Sequence, residues 1–136
     1  MTKVYIDENF AKQLAEGINV FQQHLNLKEK HQFEVLSIKE VFGPGAKDED
    51  WIPIAGKQKA IVLTQDLRIQ TTKHLYELYK KFELGVFFFK PHSTGYSFWE
   101  IVEQVIKRWS EMKKKSKKQR PFAYRYKNKG KIEELN

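Results

Sequence analysis

The sequence predicts a single α/β domain built around a mainly parallel β-sheet. Short apolar runs rich in β-branched and aromatic residues alternate with longer segments whose apolar residues recur at helical spacing. This order of strand then helix occurs four times in succession, which indicates βαβ units with helices on both faces of one sheet. The chain has 136 residues, of which 40% are hydrophobic. That is enough for one domain, residues 1–136, with its own core.

The N-terminal part predicts two strands joined by a helix. The first strand, Val4–Ile6, ends abruptly at Asp7-Glu8-Asn9. Asp7 or Asn9 is the expected N-cap of the helix, because short polar side chains accept hydrogen bonds from its first free N–H groups. The apolar positions of this helix are Phe10, Leu14, Ile18, Phe21 and Leu25. A second strand is predicted over Phe33–Ile38, and Gly43-Pro44-Gly45 predicts a loop.

A short acidic helix and a buried strand are predicted next. Asp48-Glu49-Asp50 opens the helix, because carboxylates are favourable at the positive end of the helix dipole, and Gly56 and Lys57 end it. Ala60–Thr64 is a β-branched apolar run that predicts the third strand, and Asp66 follows it.

Another helix and a fourth strand complete the repeating pattern. Thr71 or Thr72 is expected to cap this helix. Its inward-facing side chains are expected to be Leu75, Leu78, Tyr79 and Phe82. Gly85 then leads into the buried strand Val86–Phe89.

The C-terminal part predicts a long helix followed by a hairpin. Ser97 and Glu100 have the spacing of a capping box, and the apolar residues after them recur at helical spacing as far as Met112. We expect residues 112–121 to form a basic linker. Residues 122–136 are expected to form a β-hairpin around Asn128-Lys129-Gly130.

Charge and composition limit the class of protein. The formal charge of +8 favours binding to polyanions, through counterion release and electrostatic steering. The chain has 0 cysteines, which excludes a disulfide framework, cysteine-ligated zinc and thiol catalysis. The sequence has no long apolar span and no apolar leader at its N-terminus, so we expect a cytoplasmic protein that does not enter a membrane.

Acidic residues follow two of the predicted buried strands and open one helix. Asp7 follows the first strand, Asp66 follows the third, and Asp48 begins the helix that leads back to the third strand. Parallel strands all end at the same end of a sheet, and a helix antiparallel to them begins there, so we expect the three carboxylates to converge. Converging carboxylates repel one another unless they share a cation or a proton. Hard oxygen ligands suit Mg²⁺ or Mn²⁺, which can activate water and stabilise charge at phosphorus.

The same acids also have a plainer interpretation. Asp and Asn after a strand are ordinary cap and loop residues. Glu8, Glu49 and Asp50 are alternative ligands, and the choice between Asp48 and Asp50 stays open at this point.

Several short motifs, in their order and spacing, resemble the PIN-like domains that serve as toxins in type II toxin–antitoxin systems. These motifs are Asp7-Glu8-Asn9, Phe42-Gly43-Pro44-Gly45, Asp48 followed by Trp51-Ile52-Pro53, and Leu63-Thr64-Gln65-Asp66 with Arg68-Ile69. The resemblance covers nearly the whole chain, including the segments Pro121-Phe122 and Gly130-Lys131. It implies a PIN-like three-layer αβα domain with a mainly parallel central sheet and a C-terminal hairpin.

The resemblance also implies an activity. Such domains are metal-dependent endoribonucleases, so Asp7, Asp48 and Asp66 are expected to be catalytic and to bind Mg²⁺ or Mn²⁺. Thr64 resembles the hydroxyl residue that the family has near its last acid, and Asn9 would orient Asp7. The implied partners are an RNA substrate and a cognate antitoxin protein, and a homo-oligomer is compatible with the sequence.

One departure from the family pattern favours a second interpretation. Many PIN domains have a fourth acid soon after the third, but here Leu67, Arg68, Ile69 and Gln70 follow Asp66. The alternative is a PIN-like module that binds RNA or protein without cleaving, and a plain α/β scaffold is a third interpretation.

Basic residues are candidate phosphate contacts. Arg68 lies beside the acids in sequence, and Lys113–Arg120 could hold an RNA backbone next to the acids. The candidates in this basic segment are Lys114, Lys115, Lys117 and Lys118. Their plainer interpretation is a solvated run of charge. We expect Trp51, Trp99 and Trp109 to lie in the core or in an interface rather than to stack on bases.

Overall fold

The computed structural model describes residues 1–66, 72–90, 94–127 and 130–135, and its strands form one sheet in the order β2-β1-β3-β4-β5-β6. The strands are β1 Thr2–Ile6, β2 Phe33–Ser37, β3 Ile61–Thr64, β4 Gly85–Phe89, β5 Phe122–Tyr126 and β6 Glu133–Leu135. Neighbouring strands are parallel from β2 to β5, and β6 is antiparallel to β5. The predicted mainly parallel sheet and C-terminal hairpin are therefore confirmed.

Helices cover both faces of this sheet. They are α1 Lys12–Asn26, α2 Ile38–Phe42, α3 Asp48–Lys57, α4 Lys73–Lys81 and α5 Phe98–Lys115. Successive side chains of a strand point to opposite faces, so Phe87 packs in one core layer with α1 and α5, while Phe88 packs in the other with α2, α3 and α4. The result is the expected three-layer αβα arrangement. Within the described ranges, no helix combines the length and the apolar character that crossing a membrane requires.

The start of α1 differs from the prediction, because neither Asp7 nor Asn9 is its N-cap. The N-cap is Ala11, which makes no side-chain capping bond. A turn precedes it, in which the Phe10 N–H donates to the Asp7 carbonyl oxygen at 3.0 Å. This turn places the Phe10 ring edge-on to Phe89, with 6.3 Å between centroids. Asp7 is therefore a loop residue whose carboxylate does not cap α1.

The helices α2 and α4 also begin differently from expectation. α2 was not predicted, since Ile38–Phe42 is too short to show a helical period, and it begins where the Ser37 side chain accepts a hydrogen bond from the Glu40 N–H. Thr72 is at the N-cap of α4 as predicted, but its side chain makes no capping bond, and Thr71 lies outside the described residues. Of the predicted inward-facing residues, Tyr79 is buried, and the others are half-buried: Leu75, Leu78 and Phe82.

The capping box at the start of α5 is confirmed, but the predicted linker is wrong at its N-terminal side. The Ser97 hydroxyl accepts from the Glu100 N–H at 3.2 Å, and the Glu100 carboxylate accepts from the Ser97 N–H at 2.9 Å. The helix then continues to Lys115, so residues 112–115 belong to its last turn. Lysine is a good helix former, and Lys113 is buried, which together extend the helix into the basic run.

A buried polar cluster joins α1 to α5. Gln22 is 0% exposed, and its Oε1 accepts from Trp109 Nε1 at 2.9 Å and from Lys113 Nζ at 3.1 Å. Lys113 Nζ also donates to both carboxylate oxygens of Glu29, at 2.7 and 2.9 Å. Each buried polar group in this cluster has a partner, which avoids the cost of leaving it unsatisfied. The cluster therefore fixes how the two helices sit against each other.

Side chains of α1 cover the outer side of β2, the strand at one lateral edge of the sheet. Asn26 Oδ1 accepts from the Phe33 N–H at 3.0 Å, and Asn26 Nδ2 donates to the Phe33 carbonyl oxygen at 2.8 Å. Asn19 Oδ1 accepts from the Val35 N–H at 2.9 Å. These bonds satisfy backbone groups of β2 that point away from β1.

Candidate functional site

Asp7 and Asp66 lie at the same end of the sheet because they follow adjacent parallel strands. Ile6 of β1 is opposite Leu63 of β3, and the Asp7 N–H continues this pairing by donating to the Leu63 carbonyl oxygen at 3.0 Å. Asp66 follows two residues after the end of β3. Both acidic residues are half-buried. The C-terminal end of the sheet therefore brings together two residues that are far apart in sequence.

Thr64 connects these two acidic residues. It is buried, its Oγ1 donates to Asp7 Oδ2 at 2.6 Å, and the same oxygen accepts from the Asp66 N–H at 2.9 Å. One hydroxyl thus orients the carboxylate of Asp7 and fixes the backbone at Asp66. The role in the site that the family resemblance implied for Thr64 stays a prediction.

Asp48 reaches the same end of the sheet as the first residue of α3. Trp51 is 3% exposed, and its Nε1 donates to Asp48 Oδ1 at 3.0 Å. Trp51 was expected to be a core residue, and it is one, but its indole N–H also positions a carboxylate. The signal for this contact is the spacing of three residues in the first turn of a helix, which places both side chains on one face.

The electrostatics of the site show that these carboxylates influence one another. Burial raises the pKa of Asp7, the hydrogen bond from Thr64 opposes that shift, and the charges of Asp66 and Glu8 raise it further. Burial also raises the pKa of Asp48, the bond from Trp51 opposes it, and the charges of Asp7 and Asp66 add to it. Half-buried carboxylates near one another favour a shared cation, because a cation removes their mutual repulsion.

The donor atoms fit a hard divalent cation, since carboxylate oxygens are the ligands that Mg²⁺ and Mn²⁺ prefer. In the ranges that the structure describes, no three acidic or histidine side chains are already arranged to hold a metal ion. The match to a divalent cation therefore rests on the type of donor atom and on the position of the three acids at one end of the sheet. The side chains of Asp7, Asp48 and Asp66 would have to rotate to bring their oxygens around one ion.

The other acids near the site differ in exposure. Glu8 is exposed, and its Oε2 accepts from the Gly45 N–H at 3.1 Å, which ties the loop before α3 to the end of β1. Glu49 is exposed, and its Oε1 lies 3.4 Å from Nε2 of the exposed His74. Asp50 is exposed, whereas Asp48 is half-buried and is influenced by the charges of Asp7 and Asp66. The structure therefore favours Asp48 over Asp50 as the third carboxylate.

Asn9 does not contact Asp7 through a hydrogen bond in the described part of the chain, where its side chain is exposed. Asp7 is oriented by Thr64 instead. Lys90 follows β4 and is exposed at the same end of the sheet as the acids. Arg68 lies outside the described residues.

The lysines predicted to hold RNA beside the acids lie at the other end of the sheet, and that part of the prediction is wrong. α5 leads back to the start of β5, and Lys115 Nζ lies 5.4 Å from the centroid of the Tyr124 ring. Because α5 runs antiparallel to the strands, its C-terminal end is at the N-terminal end of the sheet. β4, with five residues, is about 16 Å long, and this length separates the two ends. The affected residues are Lys114, Lys115, Lys117 and Lys118.

The fold and the site define a class: a three-layer α/β domain with acidic residues gathered at the C-terminal end of a parallel sheet. The chain belongs to the PIN like domain family, whose family model matches residues 2–91, a stretch that includes Asp7, Asp48 and Asp66. PIN-like domains are generally nucleases, and they usually use divalent metals. No curated protein and no solved structure matches the chain.

Proposed function

We propose that this protein is a metal-dependent endoribonuclease that hydrolyses RNA phosphodiesters at the site formed by Asp7, Asp48 and Asp66. The observation that supports this proposal best is the coupling of these half-buried carboxylates at the C-terminal end of the sheet, where Asp7 and Asp48 have raised pKa values. Ligands of open α/β sheets bind at this end. The chain belongs to a family whose members are generally nucleases, and this is the reason for proposing phosphodiester hydrolysis as the reaction.

The residues of the chain have separable tasks in this proposal. The three carboxylates would hold Mg²⁺ or Mn²⁺, and the ion would supply water activation and charge neutralisation at the phosphate. Thr64 fixes the carboxylate of Asp7, and Trp51 fixes that of Asp48, so the ligands are oriented by groups that are themselves buried.

We further propose that the protein acts in the cytoplasm as the toxin of a toxin–antitoxin pair. The motifs around Asp7, Asp48 and Asp66 support this role. A cognate antitoxin would cover the C-terminal end of the sheet, where an arginine or lysine of the antitoxin could take the place of the cation between the carboxylates.

The alternative function is an RNA- or protein-binding module that does not cleave. The feature that favours it is the sequence after Asp66, in which Leu67, Arg68, Ile69 and Gln70 provide no fourth carboxylate. With fewer acids the site would hold a second metal ion weakly.

Substitution of Asp66 separates these two functions. Asp66→Asn keeps the shape of the side chain and removes its charge, so we expect RNA cleavage to be lost while RNA binding is kept. Asp50→Asn is the matched control, because Asp50 is exposed and lies in the first turn of α3. The measurement is cleavage of labelled RNA by both variants with Mg²⁺ or Mn²⁺ and with a chelator.

Each outcome decides between the functions. Cleavage by Asp66→Asn at the wild-type rate would show that the site assignment is wrong. Wild-type protein that binds RNA but does not cleave it with either metal would establish the binding module instead.

A further inference from the structure

Basic side chains from three separate parts of the chain meet at the N-terminal end of the sheet, where they line a groove of about 660 Å³. We call this the rear groove, because it lies at the end opposite to the acids. Its basic residues are Lys57, Lys59, Lys81, Lys117, Lys118 and Arg120. Glu83 is the acidic residue in its lining, so positive charge is in clear excess.

Close backbone packing forms the rear groove. A Cβ atom added to Gly56 would lie 2.3 Å from the Phe82 carbonyl oxygen, so a glycine is needed for the C-terminal ends of α3 and α4 to meet. The Phe122 N–H donates to the Leu84 carbonyl oxygen at 3.3 Å. This bond places the segment after α5 beside the end of α4, where its residues line the groove. The lysines are therefore placed together by the fold, although they are distant in sequence.

Carboxylates offset only part of the positive charge of the rear groove: Glu83 lies in its lining, and Glu134 acts on Lys118. In the described part of the chain, the groove lysines make no ion pair with a carboxylate, and all five are exposed. Arg120 Nη1 donates to the carbonyl oxygens of Ser116 and Lys118, at 3.1 and 3.4 Å. These bonds are local, and they fix the turn of the basic segment that contains Lys117 and Lys118. The C-terminal ends of α3 and α4 add only partial negative charge.

An aromatic cleft of about 490 Å³ adjoins the rear groove, and the two share Lys118 and Gln119 in their walls. Tyr76, which is half-buried, lines this cleft together with the buried Tyr79, and Lys80 Nζ lies 5.2 Å from the centroid of the Tyr76 ring. Lysines beside an accessible aromatic ring are a combination that binds single-stranded nucleic acid, since the cations hold phosphates and the ring stacks on a base. In this cleft Tyr76 is the ring with exposed surface for that contact, which an acidic peptide would not use.

We propose that the rear groove is a second RNA-binding site, which holds the phosphodiester backbone of single-stranded RNA with its lysines. This site is separate from the carboxylates and does not require them to be catalytic. The two ends of the sheet are about 16 Å or more apart. An RNA that contacts both sites must therefore run across the protein, and a long RNA is bound more tightly than a short one.

The test compares two variants that lose the same charge. One replaces four groove lysines with glutamine: Lys57, Lys59, Lys117 and Lys118. The control replaces four exposed lysines on other helices: Lys12, Lys39, Lys73 and Lys107. Affinity for a labelled single-stranded RNA is measured by anisotropy over a range of salt concentrations, with a chelator present so that cleavage does not interfere.

We expect the groove variant to lose affinity by on the order of ten-fold or more, and its log–log salt dependence to become shallower by about three units, since each phosphate contact contributes about 0.7 for single strands. The control is expected to change both quantities much less. Equal losses in the two variants would overturn the proposal, because net charge alone would then explain the binding. Binding of a polyglutamate peptide of equal charge as tightly as RNA would also overturn it.

A cleavage measurement keeps this result apart from the nuclease proposal. The groove variant is expected to cleave a short oligonucleotide at the wild-type rate, whereas Asp66→Asn keeps the wild-type salt dependence of binding. Binding that is lost in Asp66→Asn but kept in the groove variant would place the RNA at the acids and would overturn the rear-groove proposal.

Discussion

Thr64 is the smallest side chain of the site, and it serves two of its three acidic residues. The hydroxyl donates to the carboxylate of Asp7 and accepts from the backbone N–H of Asp66. Valine has nearly the same shape and can do neither. The hydroxyl therefore stabilises the charged form of Asp7, against the burial that raises its pKa.

Replacement of Thr64 tests this orienting role. We expect Thr64→Val to weaken cation binding by about ten- to a hundred-fold, as is typical when a partner of a metal ligand is lost. The measurement is the Mg²⁺ concentration that gives half-maximal cleavage. Thr64→Ser retains the hydroxyl and should behave almost as wild type. An unchanged Mg²⁺ requirement in Thr64→Val would show that the hydroxyl has only a structural role.

The acids that end strands could be predicted from the sequence, while the contacts that orient them could not. Asp7 and Asp66 follow buried runs, and parallel strands end together, so their shared location follows from topology. The turn after Asp7 keeps this residue out of α1, so that its carboxylate is free to bind Thr64, and the turn is accompanied by the packing of Phe10 against Phe89. That is a tertiary contact, and no local pattern around Asn9 or Asp7 reports it.

At the scale of the helices, the basic run after residue 112 is not uniform. Lys113 is 9% exposed and binds Glu29 and Gln22, while Lys114 beside it is exposed. The sequence shows a row of lysines, of which Lys113 lies four residues after Trp109 and therefore on the same face of the helix. The apolar period of the helix, continued through Trp109 and Met112, is the signal that extends α5 into this run.

Lys113→Met is expected to lower the free energy of unfolding by about 1–2 kcal/mol at neutral pH, because it removes the partner of Glu29 and one of the donors to the buried Gln22. Lys114→Met is the matched control and should change stability little. Chemical denaturation of both variants provides the measurement. Equal stability of the two variants would show that the contacts of Lys113 contribute nothing to the stability of the fold.

The loss of stability caused by Lys113→Met should depend on pH, and the direction of that dependence follows from the pKa of Glu29. The hydrogen bond from Lys113 is the main cause that lowers the pKa of Glu29 below its ordinary value of 4.5. A lowered pKa contributes stability that is present above the ordinary value and is lost as the pH falls through the lowered one. The difference between Lys113→Met and wild type should therefore shrink in acid. The Glu29 side chain is 37% exposed, so solvent screens part of this effect.

At the scale of the whole molecule, charge is divided between the two ends of the sheet. The carboxylates of Asp7, Asp48 and Asp66 gather at the C-terminal end, and the lysines of the rear groove gather at the other. The sequence predicted both groups of residues but placed them side by side. The topology rule that brings Asp48 to the acids also takes the lysines away from them, because a helix that begins at the C-terminal end of the sheet and runs antiparallel to the strands ends at the opposite end.

Metal binding at the acidic end should appear in the stability of the whole domain. We expect millimolar Mg²⁺ or Mn²⁺ to raise the melting temperature by several degrees, because an ion that binds only the folded state stabilises it by about 2.7 kcal/mol at a hundred times its dissociation constant. Asp48→Asn should reduce this rise. A melting temperature that stays constant over this range of metal concentration would contradict a metal site.

The amides of Asn19 and Asn26 have a consequence for how the protein behaves at high concentration. An open β-strand at the side of a sheet is a template on which further strands, from the same chain or a foreign one, can add and start aggregation. Here the outward backbone groups of Phe33 and Val35 are already bound by side chains of α1. At the far side, Glu133 of β6 pairs with Arg125 and Lys127, which places charge where another strand would approach. Strand addition at β2 would therefore have to break the contacts from Asn19 and Asn26 first.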